Sequence, residues 1–563
     1  MKASDIIIDL LVKNGVDKGW VLQGGAIAHI IDSSFQRAKH KKDFKALTVL
    51  HEQAASIAAD AYSRLSDNMG SVMVTSGPGA TNILTGLACS WYDSIPVIYL
   101  TGQVRTWELS NKSQRQLGFQ ETDIVSIVKS ITKYAVTIKD SRDLVYEIEK
   151  AIFLARDGRP GPVLIDLPMD MQWAEIDMSE QRSFNKPDSV WDYSSQKHKK
   201  VDQFISLLEM AKKPVVISGA GVRSSGAVDM LEQFVEKLSL PLVNSYGGKD
   251  TFSYAHSSYC GMIGMMGGHG SNKILDEADL IIAIGSRLSW RQVRSQPDKF
   301  GLNAKIVHID IDPKELDAHV PANLSFDWDA SFFLKMVIPE IEKKELNFKP
   351  FLAKSKQLFT EQKYYDDLVL LDGQINPYCF IKEISKKAPE NTTYVCDTGQ
   401  NLVWCMQAIE IKKSQRLITA WGHSPMGYSI CGSLGAYEAT SKNKIICFIG
   451  DGGIQMNIQE LQTIKHYGYP IIIFVMNNSS YGCIKDFQND NLEGRYYGTN
   501  LVGDYSTPDF VHIAESYGIK SFKLSDNKQT ESILAEALKS DAPVLVEVML
   551  GEDTKMHISP IKE

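Results

Sequence analysis

The chain has 563 residues, 44% of them hydrophobic and 23% charged, with a formal net charge of −8. That length gives room for three to four domains with separate cores, and the acidic balance leaves no electrostatic footprint for nucleic acid. No apolar run approaches the roughly 18–20 residues of a membrane span, and eight Cys without a CxxC pair read as thiols of a reducing cytosol rather than disulfides or zinc ligands. A cytoplasmic protein is the expectation.

The first 20 residues, MKASDIIIDLLVKNGVDKGW, read as an amphipathic helix with interspersed charges, not a signal peptide. A short strand over 46–50 then delivers His51 and Glu52 to a helix over 53–65, whose Ala54, Ala55, Ala58 and Ala59 allow close packing. Glu52 on its own needs no function, since a carboxylate at a helix N-terminus stabilises it by a few tenths of a kcal/mol up to about 1. A strand over 71–75, the loop SGPGATN (76–82), a helix and a strand over 96–101 follow. Residues 174–200 and 342–368 lack apolar periodicity and read as linkers, dividing the chain into domains 1–175, 190–345 and 365–555.

The middle block carries strands over 214–218, 280–284 and 305–311, with glycine-rich turns GAGVRSSGA (219–227) and GMIGMMGGHGSN (261–272). One such turn is weak evidence for a dinucleotide, so a ligand-free structural domain and a nucleotide-binding one both stay open.

The third block runs through CDTGQNLVW (396–404) and AWGHSPMGYSICGSLGA (420–436) to KIICFIGDGGIQMNIQELQTIKHYGYPIIIFVMNN (444–478). Apolar runs at 445–449 and 471–476 flank a helical spacing at Ile458, Leu461, Ile464 and Tyr467, closed by Gly468 and Pro470: one βαβ unit with parallel, buried strands. Ligands of such units sit beyond the carboxyl ends of the strands, where Asp451 and Asn478 meet although 27 positions apart. Gly450, Gly452 and Gly453 let backbone approach a bulky anion, and a carboxylate, an amide oxygen and phosphate oxygens suit Mg2+. Gly-Asp-Gly alone is common and also fits an ordinary glycine turn.

The whole pattern, GDG, 24 residues and then NN, resembles the thiamine diphosphate (ThDP) motif of the pyruvate decarboxylase and acetolactate synthase superfamily. HEQAASIAADAYSR and TSGPGATNILTGLACSWYDSIPVIYLTGQV resemble the pyrimidine-binding domain of acetolactate synthases, and the likeness extends over nearly the entire chain. The resemblance implies an α/β fold of three doubly wound parallel-sheet domains: pyrimidine-binding, central Rossmann-like and diphosphate-binding. It implies that Glu52 holds the proton shared with the pyrimidine N1′, that Pro78 and Asn82 wall the ring, and that Ser424 and Met426 hold and prop the bent cofactor. Gln400, Asn401, Gly450, Gly452, Gly453, Tyr481 and Gly482 fall on its diphosphate side. Asp451, Asn478 and the carbonyl of Ser480 would ligate Mg2+. Around the reacting carbon it places Gly25 (LQGGA, 22–26), Phe119 and Gln120 (GFQET, 118–122), with Arg291 and Phe487 toward the acceptor.

The same likeness implies a decarboxylating carboligase that cleaves a 2-oxo acid such as pyruvate and passes the two-carbon unit to a second carbonyl compound. It further implies a homodimer or homotetramer with active sites between subunits. SQRQLGFQ lacks the paired histidines of the pyruvate decarboxylase branch, which speaks against plain aldehyde release. Rivals are a 2-hydroxyacyl-CoA lyase, a benzaldehyde lyase-like enzyme, and a catalytically silent homologue; a glyoxylate carboligase is disfavoured by Glu52. Two positions depart from the family: Met169 stands for a lysine, and Phe487 for a tryptophan. FAD stays open. GSRLSWR (285–291) keeps Arg287 and Arg291 of the family's flavin segment but loses both aspartates, while HIDIDPKEL (308–316), with Asp310, matches its adenine side.

Overall fold

The computed structural model describes residues 1–110, 114–187, 197–293, 297–361, 373–440 and 443–558. Its 18 strands form three six-stranded sheets, paired in parallel throughout. The first holds β1 (Lys18–Val21), β2 (Lys45–Thr48), β3 (Gly70–Val74), β4 (Val97–Gln103), β5 (Tyr134–Thr137) and β6 (Val163–Pro168), in the order β2-β1-β3-β4-β6-β5. The second holds β7 (Pro214–Ser218), β8 (Leu242–Asn244), β9 (Tyr259–Met262), β10 (Leu280–Ile284), β11 (Lys305–Ile309) and β12 (Leu324–Phe326), in the order β12-β11-β10-β7-β8-β9. The third holds β13 (Thr392–Cys396), β14 (Arg416–Ile418), β15 (Lys444–Gly450), β16 (Ile471–Asn477), β17 (Lys520–Leu524) and β18 (Val544–Met549), in the order β14-β13-β15-β16-β18-β17. Central strands such as β4 and β16 are buried along their whole length, which is why they read as apolar runs rather than alternating patterns.

The outer two sheets repeat one strand order, while the middle sheet, counted within its own domain, runs 3-2-1-4-5-6 with its switch point between β7 and β10. The strands over 214–218 and 280–284 fall where the sequence places them. Two expectations are corrected. The N-terminal helix ends at Lys13: Asn14 and Gly15 turn the chain, Gly15 at φ 71°, and β1 buries Trp20. The second linker contains the helix Lys349–Thr360, with Pro350 in the first turn, where its missing N–H is not needed. Its Phe351 and Leu358 are buried against the helix His269–Glu277, so the middle domain runs past residue 345. Residues 188–196 of the first linker and 362–372 of the second lie outside the described set.

The first and third domains share one continuous apolar core. At its centre the helix Glu52–Leu65 crosses the helix Tyr428–Thr440 in antiparallel sense: a Cβ on Gly435 would lie 1.9 Å from the carbonyl oxygen of Ala58, and one on Gly432 3.6 Å from the Cβ of Ala61. Tyr428 closes the far end by donating its hydroxyl to Asp60 at 2.8 Å. Only glycine fits at 435, so Gly435→Val should cost about 1–3 kcal/mol through overpacking and lower the urea midpoint; an unchanged midpoint would contradict this packing account.

Candidate active site

The first domain builds one half of the site on the ends of β1, β2 and β3. In the turn after β1, Gly24 packs where any Cβ would strike Thr75 at 2.4 Å, whereas the space over Gly25 is open. The next residue is tied down from both sides: Ala26 donates its N–H to Thr75 Oγ1 (3.3 Å) and accepts from Gln172 Nε2 at its carbonyl (2.6 Å). Glu52 opens its helix behind the His51 cap, in which Nδ1 accepts from the Gln53 amide at 3.1 Å. The Glu52 side chain is buried; Oε2 accepts from Asn82 Nδ2 at 2.9 Å, and a Cβ on Gly79 would lie 3.5 Å from Oε1. Pro78 and Asn82 present an exposed face beside it.

Gln120 sits over the same loop at φ 64°, its Cβ 3.0 Å from where a Cβ on Gly77 would be. Such strained backbone persists only where neighbours hold it. Here Glu121 accepts the amides of Ser110 (2.6 Å) and Leu117 (2.7 Å), while Gln103 Nε2 donates to the Thr122 carbonyl (2.7 Å). Phe119 beside it is 86% exposed, a large apolar ring left without cover in the single chain.

The third domain builds the other half on the ends of β13, β15 and β16. Asp451 is buried, which pushes its carboxyl up to about 7, against the pull of hydrogen bonds from the amides of Gly452 (2.7 Å) and Ser480 (3.1 Å). Asn478 Nδ2 donates to Gln400 Oε1 at 3.0 Å, and Gln400 Nε2 to Asp486 at 2.8 Å. Glycine is required around this cluster: a Cβ on Gly482 would meet Gln400 Oε1 at 2.0 Å, and one on Gly452 the Tyr481 ring at 2.2 Å. Asn401 Oδ1, Ser480 Oγ and both amide atoms of Asn457 are buried without a hydrogen-bond partner. Orphaned donors and acceptors beside a buried carboxylate fit an oxygen-rich anion held with a hard cation. Asp451, Asn478 and Ser480 lie together at the ends of β15 and β16, with Gln400, Asn401, Gly450, Gly453, Tyr481 and Gly482 around them.

The loop between β14 and the Tyr428 helix carries Ser424, at φ 54° with its hydroxyl 2.7 Å from that of Thr398, and a half-buried Met426 that joins none of the hydrophobic clusters. Sequence reasoning missed the group that fixes this loop's end. Asp397, lifted by burial to about 6, accepts the amides of Thr398 (3.0 Å), Gly427 (3.1 Å) and Ser429 (2.9 Å). It also missed Glu547, which holds Asn477 at 2.8 Å, which in turn accepts the Ser479 amide at 2.9 Å and so shapes the turn before Ser480.

Arg291 is exposed on the middle domain, and its charge bears on the Cys483 thiol, which burial pushes up to about 11. The helix Gly482–Asn491 carries Phe487, 56% exposed. The flavin segments divide. A Cβ on Gly219 would lie 1.9 Å from the Gly285 carbonyl oxygen and one on Gly221 2.7 Å from the Gly285 Cα, so these glycines serve loop-on-loop packing and give no argument for a phosphate cradle. Asp310 is buried at the end of β11, and Arg287 is partly buried at the switch point. The flavin reading rests on those side chains and Arg291 alone.

The two halves do not meet within one chain. The antiparallel crossing sets Glu52 and the start of the Tyr428 helix about a dozen residues apart along the helix axis, ~18 Å at 1.5 Å per residue.

The sequence matches three domain families in succession: the N-terminal TPP-binding domain of thiamine pyrophosphate enzymes over residues 1–127, their central domain over 201–337, and their C-terminal TPP-binding domain over 397–548. It is 35% identical to the acetolactate synthase large subunit of Lactococcus lactis, covering 99% of this chain and 94% of that one. Identity is 33% to a probable acetolactate synthase large subunit of Methanococcus aeolicus (100% and 94%) and 32% to the isozyme 3 large subunit of Escherichia coli (100% and 96%).

Because the Asp451 carboxyl must be ionised to ligate a cation, Mg2+ affinity should fall roughly tenfold per pH unit below about 7 and level off above it. Calorimetric titration of the wild type and Asp451→Asn between pH 6 and 8 in the presence of ThDP checks this; identical profiles would remove Asp451 from the site.

Proposed function

Since the chain belongs to the thiamine pyrophosphate enzymes, in the family of acetolactate synthase large subunits, we propose that it is a Mg2+-dependent decarboxylating carboligase. Its donor is a 2-oxo acid, pyruvate in the first place, and its acceptor a second carbonyl compound. ThDP, when bound, supplies the electron sink that lets the carboxylate leave and the acyl-anion equivalent that joins the acceptor.

The protein's part is binding and positioning. Asp451, Asn478 and the Ser480 carbonyl hold the cation; Gln400, Asn401 and the Gly450–Gly453 backbone receive the diphosphate. Glu52 holds a proton at the pyrimidine, a role that fits its burial and the hydrogen bond it accepts from Asn82. Gln120 and the backbone at Gly25 face the reacting carbon. Arg291, exposed on the middle domain, suits the carboxylate of an acceptor keto acid through its planar fork of donors.

The observation that carries the reading is the coexistence of two complete half-sites too far apart to serve one cofactor. A second copy of the chain brings them together, its first domain facing this chain's third, and covers Phe119, Pro78 and Asn82. The working unit is then a homodimer or a pair of them, with each cofactor between two chains.

Glu52→Gln should retain ThDP but lose turnover by orders of magnitude, and Asp451→Ala should lose Mg2+-dependent cofactor retention. Unfolded and refolded together in equal amounts, the two inactive variants should recover up to about a quarter of wild-type activity, because half of the dimers then carry one intact site. No recovery, with mixed dimers demonstrated, would contradict a site shared between chains.

A further inference from the structure

Among the groups that the reading above leaves unused, the strongest cluster lies where the first domain touches the cofactor loop of the third. Asp93, at the end of the helix Leu84–Tyr92, accepts the backbone amides of two consecutive residues of that loop, Trp421 at 2.7 Å and Gly422 at 2.8 Å. The same carboxylate receives Arg64 Nη2 at 2.7 Å, and Arg64 also reaches Asp60 at 2.6 Å. Both side chains of the Asp93–Arg64 pair are 5% exposed, so little water competes for the ion pair, while the Gly422 amide that Asp93 receives lies at the surface. Gly422 is moulded to this contact: a Cβ there would lie 2.8 Å from the Cβ of Tyr92 and 3.1 Å from Asp93 Oδ1, and the next residue, His423, stacks on the Tyr92 ring at 5.6 Å.

The loop is therefore gripped at both ends by buried carboxylates. Asp397, from its own domain, holds Gly427 and Ser429; Asp93, from the other domain, holds Trp421 and Gly422. Between the two grips lie only His423, Ser424 in its left-handed conformation, Pro425 and Met426. We infer that Asp93 is a positioning residue that sets the cofactor loop of the third domain from the first domain of the same chain. It acts through the Trp421 and Gly422 amides and touches neither cofactor nor substrate. Arg64, which neutralises the carboxylate and ties it to Asp60 and Tyr428, fixes its direction.

The inference rests on the ThDP reading for its functional consequence but not for its structural one, and the experiment separates the two. Asp93→Asn keeps the shape but presents one acceptor where three donors converge; Gly422→Ala breaks the same contact from the other side. Ile98→Val, a buried core change on β4, serves as a merely destabilising control. Hydrogen exchange of the intact protein without cofactor, read by mass spectrometry, should rise about tenfold or more in peptides spanning 420–427 for the first two variants and not for the control. With ThDP, Mg2+ and pyruvate, both should lose about ten- to a hundredfold in kcat with KM for pyruvate little changed. The double variant should lose no more than the worse single one, since both remove one contact. Unaltered exchange at 420–427, or a rise matched by Ile98→Val, overturns the clamp. Raised exchange with undiminished kcat overturns its role in the reaction. Raised exchange in a protein that binds no ThDP upholds the clamp and sinks the cofactor reading alone.

Discussion

The contact on which the structure depends is the close antiparallel crossing of the Glu52 and Tyr428 helices, made possible by Gly435 seated on the Ala58 carbonyl. Small residues let two backbones approach, and that approach merges the cores of the first and third domains into one. The crossing also has a direction. It sends Glu52 to one end and the loop of Ser424 and Met426 to the other, so that each chain carries two half-sites facing away from each other. The proposed division of the site between chains follows from this packing.

Carboxylates then do the fine placement across the same domain boundary. Asp93 of the first domain receives the start of the third domain's cofactor loop, and Glu460 of the third receives the Leu50 amide at 3.1 Å, two residues before Glu52. Each domain thereby steadies a functional segment of the other. Glu460 is held up near 7 by burial, and Thr463 donates its hydroxyl to it at 2.6 Å. Backbone amides gathered by a buried carboxylate are strong, directional contacts, suited to segments such as Ser424 and Ser479 that adopt conformations their side chains disfavour.

Much of this was legible in the chain itself, and the reasons differ by residue. The β7 and β10 strands and the Asp451–Asn478 unit could be read because buried parallel strands leave uninterrupted apolar runs, with glycines and polar ligands at fixed offsets. The helix at 349–360 was hidden because Pro350 looks like a breaker unless it is known to occupy a first turn. Asp93, Asp397 and Glu547 leave no periodic mark: each is a single acidic residue whose partners lie tens to hundreds of positions away. The glycines at 219, 221 and 285 gave a signal that pointed elsewhere, since a turn needed for loop packing reads like one needed for a phosphate.

On the proposed function, these half-sites join two carbonyl compounds with loss of CO2. Incubating the purified protein with ThDP, Mg2+ and 13C-labelled pyruvate, alone and then with added aldehydes, ketones and 2-oxo acids, and identifying the products by mass spectrometry tests it most directly. The expected result is labelled CO2 together with a product in which the remaining two carbons are bonded to an acceptor, acetolactate where pyruvate serves as both. Release of free acetaldehyde without any joined product, or no ThDP-dependent CO2 with any of these compounds, would contradict it.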